Sequence, residues 1–249
     1  MDIDFSRELK IAKKAALEAG NFLRKNKNNI NRTISSTDRD IKLQADIEAE
    51  KIIKDIINND SSFGILAEES GISSEKSYKN LWIVDPLDGT ANYSRNIPLC
   101  CVSVAMLSDT KPVLGVIYDF NNDDLYEGSI NTSACLNGHE ISVSKTLKSQ
   151  EGVLITGLPN DTHYSDKAMK EMMKNFQNWR KVRMIGSAAL ASAYIASGKA
   201  DLYMENKSYL WDIAAGAAIV NAAGGEALIS NQNEKFQVDV RFSNSLVKS

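Results

Sequence analysis

Residues 81–93 read LWIVDPLDGTANY, and the fold turns on how that stretch is understood. Leu81-Trp82-Ile83-Val84 predicts a short buried strand, yet the run stops at two carboxylates, Asp85 and Asp88, with a proline, a glycine and a threonine around them. Asp, Pro and Gly commonly form turns, so a plain loop is the competing reading. Asp85 closes the strand and Asp88 lies one turn further on, so both reach the same spot beyond the strand's C-terminal edge. In open α/β sheets that edge is where ligands bind. Gly89 and Thr90 then open a short predicted helix whose backbone N–H groups suit a phosphate.

Other acids extend the pattern. Glu68 and Glu69, in ILAEES, follow the preceding apolar run, Asp212 follows Trp211 at the head of a late helix, and Asp46 heads an early one in LQADIEAEK. Singly, these read as solvated pairs or helix-capping residues. Gathered, they make a cluster of like charges that must be protonated or neutralised by cations. Oxygen donors without histidine or cysteine favour magnesium or manganese over zinc. The two histidines, His139 and His163, fall in polar segments and are expected at the surface. Haloacid-dehalogenase-type phosphatases place a nucleophilic aspartate two residues before the second acid of their motif. Here that position is Pro86, which leaves water as the nucleophile.

The remaining composition restricts the partners. Across 249 residues, 43% are hydrophobic, 24% are charged and the formal net charge is −3, which suits a globular protein without general affinity for nucleic acid or anionic membrane. The cluster Arg180-Lys181-Val182-Arg183 reads as solvated surface. Cys100, Cys101 and Cys135 fit neither a disulfide framework nor a zinc pattern, and the first two are expected in the core. MDIDFSRELK has no signal-peptide character and no apolar run is long enough to span a bilayer, so a cytoplasmic protein without membrane attachment is expected.

Along the chain, apolar spacings of three and four predict a helix from Ser6 to about Lys25 and another from Gln44 to Asn59, separated by a polar loop. Short strands are predicted at Phe63–Leu66 and Leu81–Val84, then a β-meander through Val102–Leu107, Val113–Tyr118 and Leu125-Tyr126. Beyond residue 150, helices at Ser165–Asn175, Ser187–Ser197 and Trp211–Ala223 alternate with strands at Val153–Thr156 and Asp201–Met204, the last helix stopping at Gly224-Gly225. The expectation is a layered α/β protein: one unit over 1–249, with halves at 1–148 and 149–249.

Taken together, ADIEAEKII, LAEES, WIVDPLDGTANY, IGSAAL and ADLYMENKSYLWDIAAGAAIVNAAGG resemble the inositol monophosphatase family, within the lithium-sensitive, magnesium-dependent phosphatase superfamily. The resemblance runs nearly end to end and implies an αβαβα sandwich, often a homodimer. It implies that Glu68, Asp85 and the Leu87 carbonyl hold one magnesium, that Asp85, Asp88 and Asp212 hold a second, and that a third, weaker ion lies near Glu68. Thr90, paired with Asp46 and supported by Glu69, orients and deprotonates the attacking water. On the substrate side it implies Gly89, Thr90, Gly186, Ser187, Ala188 and Asp212, with Glu205 hydrogen-bonding a polyol. Gln44 stands where the family usually has threonine, and Asp40 fits an upstream loop aspartate.

The function expected is hydrolysis of a small phosphorylated metabolite, inositol 1-phosphate first. Fructose 1,6-bisphosphate, adenosine 3′,5′-bisphosphate and histidinol phosphate are the alternatives within the same chemistry, with Lys42, Arg183 and Lys207 as candidates for a second phosphate. A non-catalytic metal-binding regulator is the rival from another class, disfavoured because every expected ligand is present.

Overall fold

The computed structural model of the chain describes residues 4–36, 41–73, 79–158 and 165–248, so Asp40 and His163 lie outside the described residues. Helix α1 (Ser6–Ile30) buries Ile11, Ala12, Ala15, Ala16, Ala19 and Leu23 along one stripe. It runs five residues past the predicted end, taking in residues read as loop. The hairpin β1 (Thr33–Ser36) and β2 (Ile41–Leu43) follows, and Leu43 caps α2 (Gln44–Asp60), which buries Ala45, Ala49, Ile53 and Ile57. The alanines let the two helices lie close to each other and to the sheet beneath.

That sheet has eight strands: β3 (Gly64–Ala67), β4 (Gly71–Ile72), β5 (Asn80–Asp88), β6 (Cys101–Ser108), β7 (Lys111–Asp119), β8 (Asp124–Ser129), β9 (Thr132–Leu136) and β10 (His139–Glu140). The five-residue helix α3 (Thr90–Ser94) sits between β5 and β6. Strands β6, β7 and β8 are the predicted meander, which β5 extends on one side and the unpredicted β9 and β10 on the other, whereas β3 pairs with β5 in parallel, Ala67 beside Val84. Both faces are covered, so β6 reads as an unbroken apolar run rather than an alternation. Its even residues, Val102, Val104 and Met106, join the core under α1 and α2, while Cys101, Ala105 and Leu107 join a second core on the other face. Each fully buried Val, Leu or Met contributes roughly 1.5–3 kcal/mol of hydrophobic stabilisation.

The second half supplies β11 (Val153–Thr156), α4 (Asp166–Phe176), β12 (Lys181–Arg183), α5 (Ala188–Ala196), β13 (Leu202–Tyr209), α6 (Leu210–Ala222), β14 (Glu226–Ser230) and β15 (Gln237–Ser243). A five-stranded sheet of order β12-β11-β13-β15-β14 results, parallel about β11 and antiparallel elsewhere. Ala-rich α5 and α6 lie between the two sheets, and Gly115 marks how tightly. A Cβ there would come within 2.1 Å of the Ala215 carbonyl, so Gly115→Ala should pry α6 off β7. Phe176 of α4 packs with Leu154, Trp179 and Leu202 on the outer face of the small sheet, completing five layers, helix–sheet–helix–sheet–helix. Among the described residues no helix is long and apolar enough to cross a membrane.

Candidate active site

Strand parity places the acids. On β5, Leu81 and Ile83 face the central core, so Asp85 points the same way, toward α6. A regular strand would turn Asp88 to the opposite face. Instead the pairing with β6 jumps from Asp85–Ser103 to Asp88–Cys101, three residues against two, and this bulge at Pro86-Leu87 returns Asp88 to the face of Asp85. On β3, Leu66 faces the central core, so Glu68, two residues on, does too, with its N–H bonded to the Val84 carbonyl at 3.1 Å. Asp212 enters from the first turn of α6, where its carboxylate also accepts the Tyr209 N–H at 3.2 Å. Capping and site-building are therefore one role for this residue.

These four carboxyls meet mainly one another. Asp85 lies close enough to both Glu68 and Asp212 for each to feel its carboxyl. Burial first, and the neighbouring acids second, push Glu68, Asp85 and Asp212 well above the usual carboxylate range. Glu68 itself keeps solvent access, just beyond the end of β3. Asp88 is also raised by burial, although four donors moderate it: the Ser187 hydroxyl in a short hydrogen bond, Ala189 N–H at 2.8 Å, Ala188 N–H at 3.3 Å and the Cys101 thiol at 3.8 Å. Among the described residues no three acids already stand as a coordination shell. The donor set still fits a hard divalent cation: several anionic oxygens, buried, whose strongest charged neighbours are each other.

Beside the cluster stands a hydroxyl–carboxylate pair. Thr90 Oγ1 lies 3.1 Å from Asp46 Oδ1 and 2.9 Å from the Leu87 carbonyl, so its single proton has two acceptors. The other oxygen of Asp46 accepts the Leu43 N–H at 2.6 Å at the head of α2, and burial pushes this carboxyl up to about 7. Gly89 makes the pair possible. It takes φ +89°, and a Cβ there would meet the Leu99 carbonyl at 2.6 Å, a left-handed, crowded position for which glycine is suited.

The remaining predicted residues divide. Gly186, at φ +69°, opens the turn into α5, while Ser187 and Ala188 spend their donors on Asp88. Glu205 is bonded to Tyr203 within electrostatic reach of Asp88 and Asp212, and burial raises it to about 7. Glu69 forms a close ion pair with Lys42, which removes Lys42 from the open cations near the site. Arg183 lies on exposed β12, and Lys207 donates its N–H to Asp239.

Two positioning residues escaped the sequence reading. Glu50, buried on α2, accepts the Glu69 N–H at 2.9 Å and so fixes the turn that carries both glutamates. Asn92 donates to the Leu99 and Ile185 carbonyls at 2.7 and 2.8 Å, pinning α3 to the turn before α5. Asn92 lies within the quoted stretch, but its partner 93 residues away leaves no spacing signal.

Comparison with known proteins bears on the family and the fold. The profile of the inositol monophosphatase family matches residues 4–248. The Nus factor SuhB of Xylella fastidiosa is 35% identical over 216 residues, covering 85% of this chain and 78% of that protein. An inositol-1-monophosphatase of Mesorhizobium japonicum is 36% identical over 184 residues, covering 73% and 69%. The solved inositol monophosphatase of Anabaena (Nostoc) sp. PCC 7120 superposes with a TM-score of 0.82 at 32% identity, covering 95% of this chain and 90% of that one. With the layered α/β sandwich these matches place the chain in the inositol monophosphatase family, as a phosphoric monoester hydrolase.

Proposed function

We propose that the chain is a magnesium-dependent phosphomonoesterase that hydrolyses a small polyol phosphate, with inositol 1-phosphate the first candidate. One observation carries the reading: four convergent carboxyls with no cation among their strongest neighbours, set beside a threonine–aspartate pair. Glu68, Asp85, the Leu87 carbonyl, Asp88 and Asp212 would hold the ions. Magnesium held by these residues would supply Lewis-acid chemistry: charge to offset that of the phosphate and the leaving alkoxide, and a more acidic water.

The chain's own residues supply the rest. The N–H groups opening α3 at Gly89 and Thr90 orient phosphate oxygens. Thr90 Oγ1 takes the proton of the attacking water as its own hydroxyl proton passes to Asp46 Oδ1. A carboxyl raised to about 7 is matched to base catalysis near neutral pH. Glu50 and Lys42 hold the Glu68-Glu69 turn in place from behind. Glu205 receives a hydroxyl of the alcohol portion.

Phosphate release with magnesium tests this across inositol 1-phosphate, fructose 1,6-bisphosphate, adenosine 3′,5′-bisphosphate and histidinol phosphate. The expected result is preference for inositol 1-phosphate and loss of turnover on chelation. Preference for a bisphosphate would move the assignment to another branch, and silence on all four would remove it. The name Nus factor, borne by relatives at 33–35% identity, favours a second reading as a Nus factor. The intact acid cluster argues that catalysis is kept in either case.

A further inference from the structure

Glu205 sits where β13 breaks register. Its pairing with β15 runs from Leu202–Ser243 to Glu205–Val240 and resumes only at Ser208–Val238, so Asn206 and Lys207 together oppose Asp239. Lys207 takes φ +57° and gives its N–H to Asp239 Oδ1 at 3.1 Å. A bulge of this kind re-aims the side chains beside it.

Two features then fix the Glu205 carboxyl. Tyr203, two residues earlier and so on the same strand face, is buried to 1% exposure and donates its hydroxyl to Glu205 Oε2 at 3.0 Å. Its ring is itself held edge-on against Phe242, with centroids 6.0 Å apart. Across the sheet, Gly157 follows β11, and a Cβ there would meet Glu205 Oε2 at 2.3 Å and Oε1 and Cδ at 2.5 Å. The carboxyl thus lies in a seat that exists because residue 157 has no side chain. The obstructed atoms are the mobile end of a glutamate, so an added methyl would evict the carboxyl and leave the backbone in place.

We infer that Tyr203 and Gly157 are positioning residues that set specificity through Glu205. Tyr203 occupies one carboxylate oxygen, Gly157 provides the seat, and Oε1, which has no hydrogen-bond partner among the described residues, is the oxygen that accepts one substrate hydroxyl. The arrangement selects an alcohol with a free hydroxyl near the ester, and it disfavours a second phosphate at that position by like-charge repulsion. The inference rests on the phosphatase reading given above and adds what discriminates among its substrates.

The test uses the full chain with magnesium and reads kcat/KM for inositol 1-phosphate relative to p-nitrophenyl phosphate, which offers no polyol hydroxyl. Tyr203→Phe and Gly157→Ala should each lower that ratio about tenfold, mostly through KM, the scale of one lost hydrogen bond. In a Glu205→Ala background, adding Tyr203→Phe should change the ratio by less than about twofold, since the tyrosine acts only through the glutamate. An unchanged ratio in Tyr203→Phe, or an equal fall in both backgrounds, overturns the inference alone. A wild-type protein that turns over neither ester overturns the functional reading, and the inference with it.

Discussion

Buried acids occur in this chain on two opposite terms. Asp119 and Asp201 are 1% and 5% exposed, comparable to Asp85 at 1%. Asp119 accepts Asn121 N–H at 3.1 Å, Asn122 N–H at 3.2 Å and Asn122 Nδ2 at 2.7 Å, which closes the β7–β8 turn. Asp201 accepts Val153 N–H at 2.6 Å and the Ser144 hydroxyl, tying the start of β13 to β11. Asp85 accepts one N–H, that of Leu87 at 2.9 Å, and otherwise faces carboxyls. Burial alone therefore says little about an acid's role. What separates structure from function here is whether donors or other acids surround it: an acid ringed by donors is complete, and one ringed by acids needs protons or a cation.

The largest effects should fall on opposite properties in the two groups. Asp88→Asn should lower kcat/KM by at least about a thousandfold, the scale on which one preorganised electrostatic group acts, and should weaken magnesium binding while leaving the fold intact. Asp201→Ala should do the reverse. It strands the Val153 N–H and costs about 2 kcal/mol, which is a Tm drop of about 4–8 °C for a chain of this size, with turnover retained. Steady-state kinetics and thermal melts on both variants decide the matter. Normal turnover in Asp88→Asn, or an inactive but stable Asp201→Ala, would break the division.

The acids were legible in the sequence because each follows or opens an apolar element. The unbroken apolar run of β5 ends at Asp85, the 3.6-period stripe of α2 begins beside Asp46, and the all-round apolar helix α6 begins beside Asp212. What was not legible is how the chain bends. The predicted strand Leu81–Val84 continues to Asp88 because the bulge at Pro86-Leu87 keeps it paired, and a bulge has no periodicity to read. The predicted strand ending at Met204 continues to Tyr209 through the polar residues Glu205–Ser208, whose composition resembles a loop. The polar stretch after Lys25 hides the last turn of α1 and the strand β1 for the same reason. Glu50 and Asn92 act on backbone groups 19 and 93 residues away, a distance no local pattern reports.

A smaller effect separates the groups through pH. Burial raises Asp46 and Glu205 to about 7, and Glu68, Asp85, Asp88 and Asp212 are raised as well. Unfolded carboxyls titrate near 4, so between about 4 and 7 the folded state holds more protons than the unfolded one. The stability from these groups is complete below the unfolded value and is lost as pH rises through the folded one. Chelator-treated protein should therefore melt about 5 °C or more lower at pH 8 than at pH 5. Millimolar magnesium should flatten that slope by taking the place of the protons. A metal-free protein whose Tm is flat or rises over this range would show that the acids do not confront one another as described.

Asp88 belongs to both groups, and the smallest prediction exploits that. It faces Asp85 and Asp212, yet it also gathers three donors from the start of α5. Ser187 is the link, giving its hydroxyl proton to Asp88 and accepting the Leu190 N–H at 3.2 Å as the cap of α5. Ser187→Ala removes the cap and one of the donors, leaving Ala188 and Ala189 to hold the carboxylate. The expected loss is about 1 kcal/mol of stability, typical of an N-cap. Turnover should fall only a few-fold, recovered at higher magnesium, because the carboxylate loses a guide and keeps its charge. A hundredfold loss that magnesium cannot restore would mean that Ser187 itself reaches the reacting phosphate, and the boundary between the two kinds of buried acid would then run through Ser187.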